Sequence, residues 1–375
     1  RVAVIGIGNM GSYHAKQIYE GKIKSLSLAA VCDTNTERLD WARKDLPGVA
    51  CFSSHEELLS SGLADAVIIA TPHYFHCPIA IDCFRAGRHV LCEKPAGVYA
   101  AQVEEMNAAA QKAGIVFSVM FNQRTDPLYR EVKRLTDSGV LGRLQRLSWV
   151  VTTWYRTQAY YNSSGWRATW AGEGGGVLIN QAVHNLDLWQ WIYGVPSSLT
   201  AFCGFGKYHD IEVEDDVTIH ASYEDGRTAV FITSTGEYPG TNRLEITGDK
   251  GKLVAENGTL TWWRNNGDNT ESQAQLVAIP SPQKPIGHLA ILQNFADAIQ
   301  CGTPLIAPGQ EGLRSLQITN AAYLSAWENR VVELPVDPSS FRHQLQEHVA
   351  HGRKIVHTTS PVSDGNLSRR WEVRW

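Results

Sequence analysis

The chain has 375 residues, 34 Lys and Arg against 38 Asp and Glu, and a formal net charge of −4. No basic run accompanies this balance, so we do not expect binding of nucleic acid, which depends on neutralising phosphates. The length and the 43% hydrophobic content predict two or three domains with sizeable cores. Apolar stretches such as Ala66–Ala70 are far shorter than the roughly 20 residues that span a bilayer, so we expect no membrane segment.

The cysteine pattern bears on the compartment and on metal binding. The seven Cys are odd in number, scattered, and contain no CxxC pair. This pattern predicts free thiols in a reducing, cytoplasmic setting and no metal site built on Cys. Because the chain begins at Arg1 on a predicted strand, a trimmed targeting segment stays an open alternative.

The first third of the chain alternates short apolar runs with amphipathic stretches. The predicted strands are Val2–Gly6, Leu28–Cys32, Ala66–Ala70, His89–Cys92 and Val116–Met120. The predicted helices are Met10–Tyr19, Thr36–Asp45, His55–Ser60, Pro78–Ala86 and Ala100–Lys112. Strands that are apolar on both faces, each followed by a helix, predict a doubly wound parallel sheet of the α/β class. We assign residues 1–122 to this domain.

Alternating apolar residues and turn signals dominate after Leu144. The predicted strands are Leu144–Tyr155, Leu199–Phe205, Val217–Tyr223, Thr228–Thr235, Arg243–Thr247, Lys252–Ala255 and Leu260–Arg264. The predicted helices are Gly176–Tyr193, Ile286–Gln300 and Gln310–Asn329. These elements predict an α+β domain over residues 123–336 with a mixed or antiparallel sheet. Residues 337–375 form a polar extension with a weak helical pattern at Phe341–His351, to which we assign no function.

A glycine-rich turn follows the first strand and opens a helix. In Gly6-Ile7-Gly8-Asn9-Met10-Gly11, the first Gly permits a tight turn, the second lets backbone approach a pyrophosphate, and the third allows close packing. Asp33, at the end of the second strand, can bind both ribose hydroxyls and repel a 2′-phosphate. The pattern therefore predicts NAD in preference to NADP, although Arg38 could partly offset that repulsion. A glycine turn that merely packs is the alternative.

Two further motifs carry ionisable side chains. Glu93-Lys94-Pro95 follows the strand His89–Cys92, at the strand end where doubly wound folds bind ligands, although a surface turn has a similar composition. Gly174-Gly175-Gly176 leads into a helix that carries Asn180 and His184. These two residues are four apart and are expected to share a helical face. A helical His is more often packed or solvated, but the glycine run permits close approach of a ligand or another backbone.

Taken together, these motifs resemble the Gfo/Idh/MocA oxidoreductase family. The likeness rests on Gly6–Gly11, Glu93-Lys94-Pro95, Trp166-Arg167 ahead of the glycine run, and Asn180-x3-His184-x2-Asp187, in this order and at similar spacing. The segments Thr71–His76, Gly287-His288, Phe295–Ile299 and Val331–Pro335 also resemble it. The resemblance extends from Arg1 to about Val336.

The resemblance implies an NAD(P)-dependent dehydrogenase that oxidises a secondary ring hydroxyl of a sugar, glycoside or cyclic polyol to a ketone. It implies that Lys94 stabilises the alkoxide, that His184 is the general base, and that Asn180 completes the catalytic group. It also implies a homo-oligomer, a dimer or tetramer. The implied cofactor-binding residues are Gly6, Gly8, Asn9, Met10, Gly11, Asp33, Arg38, Thr71, Pro72, His76, Glu93, Lys94 and Asn122.

One position departs from the family pattern. Many of the family's sugar and inositol dehydrogenases carry Asp where this chain has Asn180. An amide cannot supply negative charge to His184 or take up a proton. We therefore predict that Asn180 binds a substrate hydroxyl while His184 acts alone as the base.

Tryptophans crowd the region around the predicted catalytic helix. Six of the 12 Trp are Trp149, Trp154, Trp166, Trp170, Trp189 and Trp191. Aromatic faces and arginine donors suit a sugar, although any one Trp is more often a core or subunit-contact residue. The predicted substrate-binding residues are Lys94, Trp154, Arg156, Tyr161, Trp166, Arg167, Asn180, His184 and His288.

Two other functions are compatible with the same motifs. One is a glycosidase that holds NAD tightly and passes through a transient keto-sugar without net release of NADH. The other is a non-catalytic, nucleotide-sensing protein, which the presence of both Lys94 and His184 disfavours.

Overall fold

A computed structural model describes residues 1–265, 273–281 and 286–352. The chain divides into two compact units. The first contains Arg1–Asp126 and Pro282–Leu316, and the second contains Pro127–Ser281 and Gln317–Trp375. The predicted segments were continuous, whereas each unit combines two stretches of chain. The chain returns to the first unit because a late segment packs there, as when Val119 N–H donates to Ala307 O at 3.1 Å.

The first unit contains a six-stranded parallel sheet. Its strands are β1 (Val2–Ile5), β2 (Leu28–Cys32), β3 (Ala50–Phe52), β4 (Ala66–Ile69), β5 (His89–Cys92) and β6 (Phe117–Val119). Their order is β3-β2-β1-β4-β5-β6, and every pairing is parallel. The predicted doubly wound sheet is confirmed. The strand that was not predicted, β3, has three partly exposed residues and too short a pattern to be recognised.

Helices accompany this sheet. They are Asn9–Tyr19, Thr36–Asp45, His55–Ser60, His76–Arg85, Ala100–Ala113 and His288–Cys301. Local capping explains two starts, because the Asn35 side chain accepts from Glu37 N–H and the Ser54 side chain accepts from Glu57 N–H. All four residues of β1 and of β4 are buried, as expected when helices cover both faces of a sheet. The strand order reverses between β1 and β4, which is where doubly wound folds bind ligands.

The second unit contains a nine-stranded mixed sheet. Its strands are β7 (Leu144–Val151), β8 (Ser198–Phe205), β9 (Glu214–Ser222), β10 (Thr228–Ser234), β11 (Asn242–Gly248), β12 (Gly251–Glu256), β13 (Thr259–Arg264), β14 (Gln273–Val277) and β15 (Val332–Glu333). Their order is β14-β13-β12-β11-β7-β10-β9-β8-β15. Strands β7 and β10 pair in parallel and the other neighbours are antiparallel, so the predicted mixed sheet is confirmed.

One face of this sheet forms the core of the second unit. The register places Trp149 opposite Phe231 on one neighbouring strand and opposite Leu244 on the other, and all three are buried. The opposite face is less covered, since Val230 and Ile232 of β10 are partly exposed. The helices of this unit are Pro127–Asp137, Gln158–Tyr161, Val177–Asn180, Val183–Tyr193 and Pro338–Ala350, together with most of Gly312–Glu328.

The predicted helix Gly176–Tyr193 is not continuous. It is divided into Val177–Asn180 and Val183–Tyr193. At the break, Ala182 N–H donates to Val177 O at 2.7 Å, five residues back rather than four. Because the helix breaks between Asn180 and His184, their four-residue spacing does not by itself place them on a common face, and that expectation stays a prediction.

The described part of the C-terminal extension belongs to the second unit. Its helix begins at Pro338, where the Asp337 side chain accepts from Ser340 N–H. The buried Phe341 ring stacks on Trp327 with 5.7 Å between ring centroids, and His348 stacks on the same indole at 4.3 Å. Residues 353–375 lie outside the described part. In the described part of the chain, no helix has the length and apolarity needed to cross a membrane.

Candidate functional site

The glycine turn after β1 is sterically constrained at its first and last glycines. Gly6 has a φ of +83°, and a Cβ there would lie 2.8 Å from the backbone of Ala70 and Thr71. A Cβ on Gly11 would lie 1.7 Å from Gly6 O. At Gly8 a Cβ would meet nothing within 4 Å, and no side chain caps the helix that begins at Asn9. The first turn of that helix therefore presents backbone N–H groups beside open space, as an anion site requires.

Asp33 is held against this turn. Its Oδ2 accepts from Ile7 N–H at 2.8 Å, and its Oδ1 accepts from Asn35 N–H at 2.9 Å. Each oxygen of a carboxylate has a second lone pair, so the group can accept further hydrogen bonds while its orientation is fixed. Arg38 is exposed in the helix that follows.

The predicted cofactor-binding residues after β4 divide into two groups. Thr71 Oγ1 and Asn122 Oδ1 are buried and make no hydrogen bond within the part of the chain that the structure describes, so both can bind a ligand. His76 is different, because its Nδ1 lies 2.7 Å from Pro95 O and its Nε2 lies 2.8 Å from Thr71 O. Both ring nitrogens thus face the protein's own carbonyls, and burial lowers the pKa of His76. His76 joins two loops and does not offer a ring nitrogen to a cofactor.

Lys94 is more exposed than the residues around it. Every residue from Val90 to Val98 is buried except Lys94, which is partly exposed. The neighbouring Glu93 points inward, where its Oε1 lies 2.7 Å from His14 Nε2 and its Oε2 accepts from Lys94 N–H at 3.2 Å. Burial by itself raises the pKa of Glu93, but the hydrogen bond with His14 and nearby positive charge lower it to about 2. Glu93 therefore anchors the loop that presents Lys94, and its contacts do not favour the predicted role in binding the cofactor.

His288 lies in the first unit, beside the buried His14. Their ring centroids are 5.6 Å apart, and His288 also packs on Tyr13 at 5.7 Å. Burial lowers the pKa of His288 to about 4, so it is neutral at pH 7. The predicted contact of His288 with substrate stays a prediction. The buried His14 beside it was not identified from the sequence, where its signal was its place three residues after Gly11.

In the second unit, Asn180 belongs to a polar cluster that the sequence analysis did not identify. Its Nδ2 donates to Glu173 Oε1 and, at 3.4 Å, to Tyr160 Oη. Arg167 Nη1 donates to Tyr160 Oη at 2.8 Å and lies 3.8 Å from Glu173 Oε1. The guanidinium carbon of Arg167 is 4.7 Å from the centroids of the Tyr160 and Trp166 rings. The signal for Glu173 was its position immediately before the glycine run.

His184 occupies an unusual position on its helix. From Val183 to Tyr193 every residue is buried except His184 and Trp191. Lys133 covers the Trp191 ring, with its Nζ 5.6 Å from the ring centroid. His184 therefore gives this buried helix a partly exposed ionisable group.

Several predicted substrate residues are parts of the core. Tyr161 is 3% exposed, and its hydroxyl bonds Thr235 Oγ1 at 2.8 Å. Trp154 is 6% exposed, and its Nε1 donates to Asn185 Oδ1 at 3.0 Å. Arg156 donates to the carbonyls of Trp154 and Tyr155. Tyr161 and Trp154 therefore offer little surface to a substrate, whereas the adjacent Tyr160 faces the polar cluster.

The glycine run is closed to ligands at its end. A Cβ on Gly176 would lie 2.0 Å from Glu214 O. The buried Glu214 carboxylate accepts from Gly176 N–H at 2.8 Å, from Leu178 N–H at 2.9 Å and from the Tyr323 hydroxyl at 2.8 Å. Burial raises the pKa of Glu214 to about 7. The close approach that glycine permits here is used by the protein's own backbone.

The sheet order, the glycine turn and the acidic residue at the end of β2 define a dinucleotide-binding oxidoreductase. Residues 1–121 match the family model described as "Oxidoreductase family, NAD-binding Rossmann fold", and residues 129–254 match "GFO/IDH/MocA C-terminal domain". The chain belongs to the Gfo/Idh/MocA family. In the described residues, no group of three His, Cys, Asp or Glu side chains could hold a metal ion.

Relatives align over nearly the whole chain. A myo-inositol 2-dehydrogenase from Thermotoga maritima is 25% identical over 89% of this chain and 98% of its own length. A scyllo-inositol 2-dehydrogenase (NAD(+)) from Bacillus subtilis is 26% identical over 90% and 96%. The WlbA dehydrogenase from Bordetella pertussis, solved with NADH and UDP-GlcNAcA, is 28% identical with a TM-score of 0.78, covering 90% of this chain and 99% of that one. All three are dehydrogenases, which favours that hypothesis over a glycosidase.

Proposed function

We propose that the protein is an NAD-dependent dehydrogenase that oxidises a secondary ring hydroxyl of a sugar, glycoside or cyclic polyol to a ketone. The observation that carries the proposal is the exposure of Lys94 and His184. Each is a partly exposed ionisable side chain in a segment that is otherwise almost wholly buried, an arrangement typical of groups kept accessible for chemistry. The inositol dehydrogenases among the relatives support the substrate class.

The residues after β1, β2, β4 and β6 have the donors and acceptors that the cofactor needs. The turn from Gly6 to Gly11 and the start of its helix would hold the pyrophosphate, and Asp33 would accept from the ribose hydroxyls. The buried oxygens of Thr71 and Asn122 would add further hydrogen bonds. Asp33 favours NAD, because a 2′-phosphate beside its carboxylate would be repelled. When bound, NAD supplies the acceptor for a hydride.

Three side chains act on the substrate in this proposal. Lys94 donates a hydrogen bond to the reacting hydroxyl and stabilises negative charge on its oxygen. The hydroxyl proton passes to Nε2 of His184, since its Nδ1 is buried. The carbinol carbon then loses its hydrogen together with the bonding electron pair, as a hydride to the cofactor, and its C–O bond becomes the C=O bond of a ketone. Asn180 binds a second hydroxyl of the same substrate.

We also propose a homo-oligomer in the reducing cytoplasm. The partly exposed apolar side chains Val230 and Ile232 on the open face of the second sheet support a contact between subunits, because such a face gains stability when covered. All seven cysteines are free thiols, as the reducing compartment requires.

The proposed activity is tested by incubating the protein with NAD and monosaccharides, anhydrosugars, inositols or aryl glycosides. NADH absorbance and ketone formation are measured together. We expect equal amounts of NADH and ketone from at least one substrate. Cleavage of a glycosidic bond without net NADH would contradict the proposal and support the glycosidase.

A further inference from the structure

We propose that Glu173 is a positioning residue that fixes the side-chain amide of Asn180, so that Asn180 offers its oxygen to a substrate hydroxyl. This inference rests on the proposed function. Glu173 belongs to neither the glycine run nor the catalytic motif, so these motifs gave no reason to expect a role for it. The carboxylate that this chain lacks at position 180 is thereby present next to it, on a different residue.

The Glu173 carboxylate is buried, and each of its two oxygens accepts a hydrogen bond from the protein. Glu173 is 2% exposed. Its Oε2 accepts from Ala168 N–H at 2.7 Å, and its Oε1 accepts from Asn180 Nδ2. Ala168 has a φ of +56°, which is uncommon for a residue with a Cβ. Glu173 therefore ties the loop that follows Trp166 to the helical turn that carries Asn180.

This contact determines which way the Asn180 amide faces. A carboxylate can only accept hydrogen bonds, so the group directed at Glu173 must be the NH₂ of Asn180. Tyr160 Oη lies on the same side, 3.4 Å from Nδ2. The amide oxygen is then directed away from Glu173 as an acceptor. An Asp at this position would face Glu173 with like charge, which explains why the amide and not the acid suits this chain.

Charge balance supports the same assignment. Arg167 lies 3.8 Å from Glu173 and donates to Tyr160 at 2.8 Å. The cluster thus pairs one negative with one positive side chain, and the buried carboxylate retains a partner, as buried charges require. Gln181 Nε2 also lies 3.2 Å from Tyr160 Oη as a donor. The Tyr160 hydroxyl oxygen is therefore surrounded by donors from the protein itself.

The central experiment exchanges the acid and the amide. Glu173→Gln has one acceptor oxygen for two donors, Ala168 N–H and Asn180 Nδ2, so one contact is lost. Asn180→Asp places two carboxylates together. In the double variant Glu173→Gln/Asn180→Asp, the new Gln can accept from Ala168 and donate to the new Asp. We expect each single variant to lower kcat/KM at least about tenfold and the double variant to return to within about threefold of wild type.

The substrate dependence separates positioning from a general structural effect. For monodeoxy analogues of the substrate, the loss caused by Glu173→Gln should disappear for the one analogue that lacks the hydroxyl bound by Asn180. NAD affinity should be unchanged in all variants. The matched control is Glu212→Gln, because Glu212 Oε1 accepts from Trp170 N–H at 2.8 Å in the same loop. We expect it to keep wild-type kcat/KM.

A second measurement does not depend on any substrate. In protein containing isotope-labelled asparagine, the Asn180 side-chain amide is identified by NMR as the signal missing from Asn180→Asp. We expect its protons to exchange slowly with solvent in wild type and at least about tenfold faster in Glu173→Gln. Fast exchange in wild type, or a double variant no more active or no better folded than the single variants, would overturn the inference. Failure of the wild type on every substrate would overturn the proposed function alone, since amide exchange would still decide the inference.

Discussion

Two regions of the molecule are built in different ways. One is the proposed cofactor site of the first unit, and the other is the polar cluster around Asn180 in the second unit. Around Gly6 and Asp33, the groups proposed to bind the cofactor are mainly backbone N–H groups, and their positions follow from two glycines that cannot carry a Cβ. Around Asn180, the groups are side chains oriented by other side chains, chiefly Glu173 and Tyr160. The first arrangement is specified by close packing of backbone against backbone, and the second by hydrogen bonds between side chains.

Each region should therefore tolerate a different kind of substitution without losing its chemistry. A backbone site tolerates substitution of its side chains but not of its glycines. A side-chain network can exchange an acid and an amide between two positions if donors and acceptors still match. Variants in the two regions should therefore differ in which property they change, stability or ligand binding.

The two glycines Gly11 and Gly8 should respond in opposite ways. Gly11→Ala places a methyl group against Gly6 O, so we expect a loss of more than about 4 kcal/mol in the free energy of unfolding. Gly8→Ala meets no protein atom within 4 Å, so stability should change by less than about 0.5 kcal/mol while NAD affinity falls. Thermal unfolding and NAD titration measure the two effects. A Gly8→Ala variant with unchanged NAD affinity would contradict the assigned site.

Two tryptophans near the polar cluster should also differ. Trp154 is 6% exposed, so Trp154→Ala should lower the free energy of unfolding by about 3–5 kcal/mol. Trp166 is partly exposed beside Arg167. For Trp166→Ala we expect about a tenfold rise in substrate KM, equivalent to about 1.4 kcal/mol, with little change in melting temperature. An unchanged KM for Trp166→Ala would remove this residue from the substrate site.

Glu214 gives a prediction about pH. Burial raises its pKa in the folded protein to about 7, above the ordinary value of 4.5. The folded protein therefore binds this proton more tightly, and the stability that Glu214 contributes is lost as pH rises from about 4.5 to about 7. The stability of wild type relative to Glu214→Gln should fall over this range by a few kcal/mol, about 1.4 kcal/mol per pKa unit. Denaturant unfolding at pH 5 and pH 8 measures the change, and a difference independent of pH would contradict it.

The same contrast explains how far sequence reasoning reached. The parallel sheet and the turn from Gly6 to Gly11 were predictable, because apolar strand periodicity and glycine spacing are local signals. The break between Asn180 and His184 was not, since it arises where Ala182 N–H bonds five residues back. The presence of Tyr160 rather than Tyr161 in the polar cluster was also not predictable. Tyr161 is held away by its hydrogen bond with Thr235, a contact between distant segments that residue spacing does not encode.

The discontinuous division of the chain into two units could not be predicted from composition either. Residues of the helix His288–Cys301 pack with the first unit, as when Gln293 Oε1 accepts from Lys24 N–H at 2.9 Å. The apolar pattern of that helix does not show which of the two units it packs with. His288 was assigned to the substrate residues from the family resemblance, and its contact with the buried His14 was not predictable from that pattern.

A single-turnover measurement of NADH formation in His184→Ala and Lys94→Ala tests the proposed roles of these two side chains. We expect the rate to fall by about 10²–10⁴ in each variant, while the Kd for NAD of His184→Ala stays at the wild-type value. Asn180→Ala should raise the substrate KM and retain more turnover than His184→Ala. Contradiction would come from a His184→Ala variant that keeps most of the rate while Asn180→Ala abolishes it.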